Sequence, residues 1–228
     1  MEPVDYQNLA GSRMTKKTDW DKYYQNPSFF AGITRKITQN TLCRTLKAHM
    51  PDAIGSICEF GGANSCIVQT ICDQFSVGNY HLLDSNDYGL SLIKPEIFNT
   101  KISTELEDIL NLKAKHDKKF DLVISIGLIE HFNEKSTQQA IANHFLYCKP
   151  GGIVLMTFPT PTFLYRLIRS IAEAFKVWSF PDERPLGFSE VLATAQNHGQ
   201  LLHSSINWKI GLTQGIVLLQ KSKEENHA

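Results

Sequence analysis

Phe120-Asp121-Leu122-Val123-Ile124-Ser125-Ile126-Gly127-Leu128-Ile129-Glu130-His131-Phe132 is the stretch whose reading decides the fold. Its first seven residues, 120–126, form a short and nearly continuous apolar run, the pattern of a strand covered on both faces in a parallel sheet. A helical pattern over 135–147 follows, then a Lys149-Pro150-Gly151-Gly152 turn and a second apolar run at 153–158. Glycine and proline punctuate at that point because neither continues a helix well. Strand, helix and parallel strand make a βαβ unit, which requires a sheet with helices on its faces.

Working outward, the same alternation continues in both directions. Upstream, 54–60 reads as a strand, 67–75 as a helix, 80–83 as a second strand and 89–93 as a helix start. Ile33, Ile37, Leu42, Leu46 and Met50 recur at roughly helical spacing, so 33–50 is expected to form one amphipathic helix that Pro51 ends. Downstream, 189–198 reads as a helix, and 201–208 and 215–220 as strands of an antiparallel hairpin at the sheet edge. An extra amphipathic helix is expected at 163–178. The fold class is therefore α/β: a Rossmann-like doubly wound sheet, mostly parallel, with an antiparallel edge hairpin. Residues 1–50 make an N-terminal tail (1–17) and an aromatic and helical cap, and 51–222 the main domain with a lid-like insertion at 161–187. Residues 223–228 are expected to form a disordered tail.

Composition narrows the function. The 228 residues carry 23 basic and 23 acidic side chains, so no global positive field is available for a nucleic acid backbone, and none is expected as partner. The five cysteines are odd in number and lack the short paired spacings of a zinc site; reduced thiols, a cytoplasmic location and no metal are expected. No stretch approaches the ~20 apolar residues of a membrane span.

Chemistry first surfaces at Ile57-Cys58-Glu59-Phe60-Gly61-Gly62-Ala63-Asn64-Ser65, a strand ending in an acid and running into small residues that open a helix. Small side chains let the backbone approach a ligand, and free amides at a helix start suit an anionic group. The same residues also suit a plain tight turn. About twenty positions on, Asp84 ends the next strand, where a carboxylate accepts from both ribose hydroxyls; it is equally suited to cap the helix that follows. Two readings share this spacing: a nicotinamide enzyme and a methyltransferase.

The later motifs separate them. The "FDLV" strand at 120–123, the "EHF" segment at 130–132 and the "KPGG" turn at 149–152, in that order, resemble the class I S-adenosylmethionine-dependent methyltransferase superfamily, in particular its small-molecule branch. The resemblance covers about 54–158 and weakens toward 220. It implies a sheet of the class I methyltransferase type, S-adenosyl-L-methionine as cofactor, and methyl transfer to a small-molecule, glycan or lipid-like acceptor at a hydroxyl. Glu59, Gly61, Gly62 and the turn Ala63 to Ser65 would border the methionine part, Asp84 would hold the ribose, and Asp108, with Glu105 or Glu107 as the alternative counterpart, the adenine amino group. Ser125, Ile126 and Gly127 would line the cofactor through backbone atoms. The family often has glycine where this chain has Ala63 and Ser65, and these two departures are what a catalytically silent cofactor-binding relative would show. An NAD(P)-dependent oxidoreductase is the other alternative, disfavoured by the absence of a complete Gly-x-Gly-x-x-Gly turn. The lack of an Asn/Asp-Pro-Pro-Tyr segment after the 120–126 strand argues against amino-methylating nucleic acid enzymes.

His131 is the candidate general base, since a near-neutral imidazole can take the proton of an acceptor hydroxyl; a structural role is the competing reading. Trp20, Tyr23 and Tyr24 either close over the cofactor or pack the N-terminal segment, and Arg35 either pairs with the cofactor carboxylate or is a solvated helix residue. In 163–178 the stripe Leu164, Leu167, Ile168, Ile171, Phe175 and Trp178 is read as an apolar wall over the acceptor pocket or as core, with peripheral membrane contact as a further use.

Overall fold

A computed structural model describes residues 17–25, 29–112 and 119–223. The tails expected at 1–17 and 223–228 lie outside the described residues apart from Lys17 and Lys223.

Seven strands form one sheet in the order β3-β2-β1-β4-β5-β7-β6. They are β1 (Ala53–Phe60), β2 (Ser76–Asp84), β3 (Lys101–Leu106), β4 (Phe120–Ile126), β5 (Cys148–Pro159), β6 (Gly199–Asn207) and β7 (Gln214–Lys221). The first five are mutually parallel, and β7 runs antiparallel to both β5 and β6, so the expected sheet and edge hairpin are both present. The central strands β1 and β4 are apolar on both faces because a helical layer covers each. One core packs Leu42 and Leu46 of α2 (Phe29–His49) and Ile71 of α3 (Val68–Gln74) on Ile57, Leu122 and Leu155. The other packs Ile141 and Phe145 of α5 (Glu134–Tyr147) and Val191 of α7 (Phe188–Ala195) on Phe60, Val123 and Met156. The strand order reverses between β1 and β4, and the carboxyl ends of those two parallel strands therefore frame the crevice where such sheets bind ligands.

The structure corrects several boundaries. β3 escapes sequence reading because it is an edge strand whose Lys-Ile-Ser-Thr-Glu-Leu run has no fully buried residue. β2 starts four residues before the expected 80, since in its first half, Ser76 to Asn79, only Val77 packs against the core. The Lys149-Pro150-Gly151-Gly152 segment is not a turn between elements: it lies inside β5, as a bulge where Phe120 pairs with Cys148 but Leu122 already pairs with Ile153. Ile33, expected on the buried stripe of α2, is exposed, whereas Thr38, Leu42, Cys43 and Leu46 face the sheet. The extra helix α6 spans Phe163–Ala174, shorter than the expected 163–178, and Lys176 just beyond it has a left-handed φ of 57°.

Candidate active site

The turn after β1 is built around two left-handed residues, Gly61 (φ 69°) and Asn64 (φ 47°). A side chain at Gly61 would be strained in that conformation and would place a Cβ 3.0 Å from Leu128 Cδ1. Ala63 and Ser65 are not left-handed, so the two departures from glycine cost the backbone nothing. Ser65 instead adds contacts: its hydroxyl lies 2.9 and 2.7 Å from the two oxygens of Glu59 and accepts from the Ile67 and Val68 amides at the start of α3, each at 3.2 Å. Tyr80 donates to Glu59 Oε2 at 2.6 Å. Burial pushes Glu59 up to about 7, against the opposing hydrogen bonds from Tyr80 and Ser65. Asp84, at the end of β2, accepts from the Ala63 amide at 2.9 Å and the Asn86 amide at 2.8 Å. Burial raises its pKa, and those backbone amides work against the rise.

The N-terminal segment closes over this turn. In α1 (Trp20–Gln25), Asp21 accepts from Asn86 Nδ2 at 2.6 Å, and the Trp20 and Tyr24 rings stack with centroids 5.9 Å apart. The Arg35 guanidinium carbon lies 5.9 Å from the centroid of the Tyr23 ring. At the other end, the Thr18 amide donates to Asp182 Oδ2 at 3.1 Å and its hydroxyl donates to Oδ1.

His131 follows β4 in a single 3-10 turn, Ile129–His131, and its Nδ1 lies 3.1 Å from Asp182 Oδ1. Hydrogen bonds from Thr18 and His131 hold Asp182 below the usual carboxylate range although burial opposes them. An ionised carboxylate only accepts, so Nδ1 carries the proton and Nε2 keeps its lone pair. Burial lowers the His131 pKa and Asp182 pulls it back up, which leaves a neutral imidazole at neutral pH. The edge of the Trp20 ring covers it at a centroid distance of 4.9 Å. Glu130 is buried, its Oε2 has no hydrogen-bond partner, and burial with Glu183 and Asp182 nearby raises it well above the carboxylate range. Glu183 is also raised by burial, while the Tyr165 hydroxyl donates to it. Glu130, His131 and Glu183 bring ligand-capable atoms within 4.8 Å of one another, a convergence hidden in sequence by the 52 positions between His131 and Glu183.

These groups share one cavity of about 360 Å³ at the carboxyl ends of β1 and β4. Of the residues expected to form the site, Tyr24, Arg35, Glu59, Gly61, Ala63, Asp84, Ile126 and His131 line it. Gly62, Ser125 and Asp108 do not. Gly62 packs under the turn, where an added Cβ would lie 2.8 Å from Leu82 Cδ2, and Ser125 is fully buried within β4. The Asp108 carboxylate caps its own loop, accepting from the Leu110 amide at 2.9 Å and from Asn111 Nδ2 at 2.7 Å. Trp178, Phe180, Tyr165 and Glu183 complete the wall. The acidic pair Asp182-Glu183, in a turn at the active edge, is the sequence signal for that wall, but nothing in the spacing ties it to His131.

A doubly wound sheet with a small-residue turn after β1, an acidic end to β2 and a cavity across the β1/β4 reversal defines the architecture of class I methyltransferases. A family model described as a methyltransferase domain matches residues 57–152, so the recognition made from the motifs holds. No curated protein matches the chain by sequence. Among solved structures, magnesium protoporphyrin IX methyltransferase from Synechocystis PCC 6803, crystallised with S-adenosylhomocysteine, is 12% identical with a TM-score of 0.68, over 89% of this chain and 93% of that one. The N-methyltransferase NodS from Bradyrhizobium japonicum WM9, also with S-adenosyl-l-homocysteine, is 13% identical with a TM-score of 0.61, over 88% and 92%. A SAM-dependent methyltransferase from Methanosarcina mazei is 13% identical with a TM-score of 0.62, over 79% and 98%. At these identities the likeness establishes the fold.

Proposed function

We propose that this chain is an S-adenosyl-L-methionine-dependent methyltransferase of the cytoplasm, acting at a hydroxyl of a small-molecule, glycan or lipid-like acceptor. The observation that carries the reading is the set of ionisable groups in the cavity: among the described residues Arg35 is its one arginine or lysine, beside the carboxyl groups of Glu59, Asp84, Glu130 and Glu183. A dinucleotide brings two phosphates and would meet one arginine among acidic groups that offer it no counter-charge. An amino acid joined to a nucleoside matches the set, with Arg35 for its carboxylate, Glu59 for its ammonium group and Asp84 for the ribose diol. When bound, S-adenosyl-L-methionine supplies a methyl group made electrophilic by a positively charged sulfur. The chain's own residues do the rest. Trp20 and Tyr24 cover the site and exclude water, and the turn from Gly61 to Ser65 holds the backbone open to the cofactor. His131 Nε2, oriented by Asp182, receives the acceptor's proton. Alignment of acceptor and methyl is worth ~7–11 kcal/mol in such reactions, so most of the rate comes from positioning.

Residues 51–222 act as the methyltransferase domain, 18–50 as its cap and 161–187 as the insertion bordering the acceptor. The five cysteines are all free thiols, in keeping with a reducing compartment. No helix among the described residues is long and apolar enough to cross a membrane. Calorimetric titration with S-adenosylmethionine, and in parallel with NADPH, tests the cofactor; binding of NADPH alone would sink the reading. Untargeted mass spectrometry of cells with and without the gene then identifies the acceptor as a metabolite pair differing by one methyl. Cofactor binding with no such pair would favour the silent relative.

A further inference from the structure

The sequence reads the 163–178 stripe as a wall of the acceptor pocket or as core, and the structure turns half of it outward: Leu167, Ile171 and Phe175 are exposed, Leu164, Ile168 and Trp178 half-buried. Tyr165, the buried residue of α6, and Trp178 beyond its end line the cavity. Phe163, Leu167, Ile171 and Phe175, four residues apart on the opposite side, are 81%, 45%, 49% and 75% exposed, and Val177 continues them at 69%. Large apolar side chains scattered singly on a surface are ordinary; three along one helix face, continued by Phe175 and Val177 just past its end and beside a ligand cavity, mark an interaction site.

We infer that this face of α6 docks on an anionic lipid bilayer. Charge selects the occupant. Of the charged residues in the segment, Glu173 is neutralised by Arg169 at 2.7 Å, which leaves exposed Arg166 and Lys176 beside the apolar face and no unpaired carboxylate. A helix with a phenylalanine-rich face and basic flanks lies in the headgroup region, and each cation near an anionic surface tightens binding about five-fold at low ionic strength. The loop between β6 and β7 extends the surface: Gly211 packs against Ile168 of α6, and the same loop carries exposed Trp208 and Lys209, an amphipathic ring and a cation of the kind enriched at membrane interfaces. A second copy of the chain suits the face less well. Stable dimers use roughly 20–30 residues a side, and pairing this helix with itself would bring Arg166 and Lys176 of both copies together. Docking in this way places α6 between the bilayer and the cavity, whose wall Tyr165 and Trp178 help to form. The docking does not rest on the methyltransferase reading.

Flotation of the full chain with vesicles is the test, using phosphatidylcholine alone and phosphatidylcholine with added phosphatidylglycerol. The chain should float with the anionic vesicles, bind plain phosphatidylcholine at least about ten-fold more weakly, and be released by salt. Phe163→Asp combined with Phe175→Asp should cut flotation by about ten-fold or more while melting temperature and S-adenosylmethionine affinity stay unchanged. Should that pair destabilise the fold, Arg166→Gln with Lys176→Gln and Lys209→Gln removes the electrostatic part alone and should abolish the preference for anionic vesicles. Absence of flotation at low salt, equal flotation of the variants, or a dimer that the aspartates split while vesicles are ignored would each overturn the inference. The cofactor titration is independent, so failure of the surface and failure of the enzymatic reading are told apart.

Discussion

Asp84 holds the Ala63 amide through one oxygen and the Asn86 amide through the other, and it lines the cavity. Asp84→Asn keeps the size but removes the charge that strengthens bonds to two hydroxyls. Charge-assisted hydrogen bonds contribute about 1.5–3 kcal/mol each, so affinity for S-adenosylmethionine should fall at least about ten-fold, read by calorimetry, with little change in melting temperature. At His131 the expected pH dependence has a definite sign. A base works when deprotonated, so turnover should rise with pH through a midpoint below the ordinary histidine value, because burial lowers it. Asp182 pulls that pKa upward, and Asp182→Asn should therefore shift the limb to still lower pH while lowering kcat through loss of the oriented tautomer. Turnover should also be insensitive to EDTA. Inhibition reversed by a divalent cation would reassign His131 from proton handling to ligation, with Glu130 and Glu183 beside it.

At the scale of elements, the turn between β1 and α3 shows why motif resemblance needs backbone angles. The family's glycine pattern makes Ala63 and Ser65 look like defects. The left-handed positions are in fact Gly61 and Asn64, and Ser65 spends its hydroxyl on Glu59 and the first amides of α3. Restoring the common pattern with Ala63→Gly should then bring no gain in cofactor affinity and cost up to about 1 kcal/mol of stability, since only the unfolded chain gains freedom. Tighter cofactor binding by this variant would show that the alanine methyl obstructs the site. α6 teaches the same lesson from the other side. Its stripe was legible as amphipathic, but periodicity cannot say whether an apolar face meets a core, a ligand or a surface outside the protein.

Across the whole molecule, two buried groups link stability to pH with opposite signs. His144, in α5 against Phe60, is lowered by burial from 6.5 to about 4. Its folded form resists protonation, so its contribution is complete above 6.5 and is lost as pH falls toward 4. Glu59 is raised from 4.5 to about 7, so its contribution is complete below 4.5 and is lost as pH rises toward 7. Between 4.5 and 6.5 the two slopes offset each other. His144→Gln should uncover the Glu59 slope, a fall in unfolding free energy of up to ~1.4 kcal/mol per pH unit, measured by urea denaturation across that range. A variant whose stability tracks the wild-type curve in parallel would refute the assignment.

The order of apolar runs, the acid at the end of β2 and the "FDLV", "EHF" and "KPGG" segments were enough to determine six of the seven strands, the edge hairpin and the cavity lining at the ends of β1, β2 and β4, because parallel sheets bury their central strands on both faces and leave that burial written as composition. Only the tertiary structure decided the rest. β3 was silent because an exposed edge strand needs no apolar run. Asp108 looked like a cofactor residue by position and proved to cap its own loop. The pairing of His131 with Asp182 and the convergence of Glu130 and Glu183 join segments about fifty residues apart, and hydrogen bonds between side chains leave no periodic trace in a sequence. The outward turn of Phe163, Leu167, Ile171 and Phe175 belongs to the same kind: the sequence determined that α6 has an apolar face, and the packing of Tyr165 and Trp178 on the cavity decided which way that face looks.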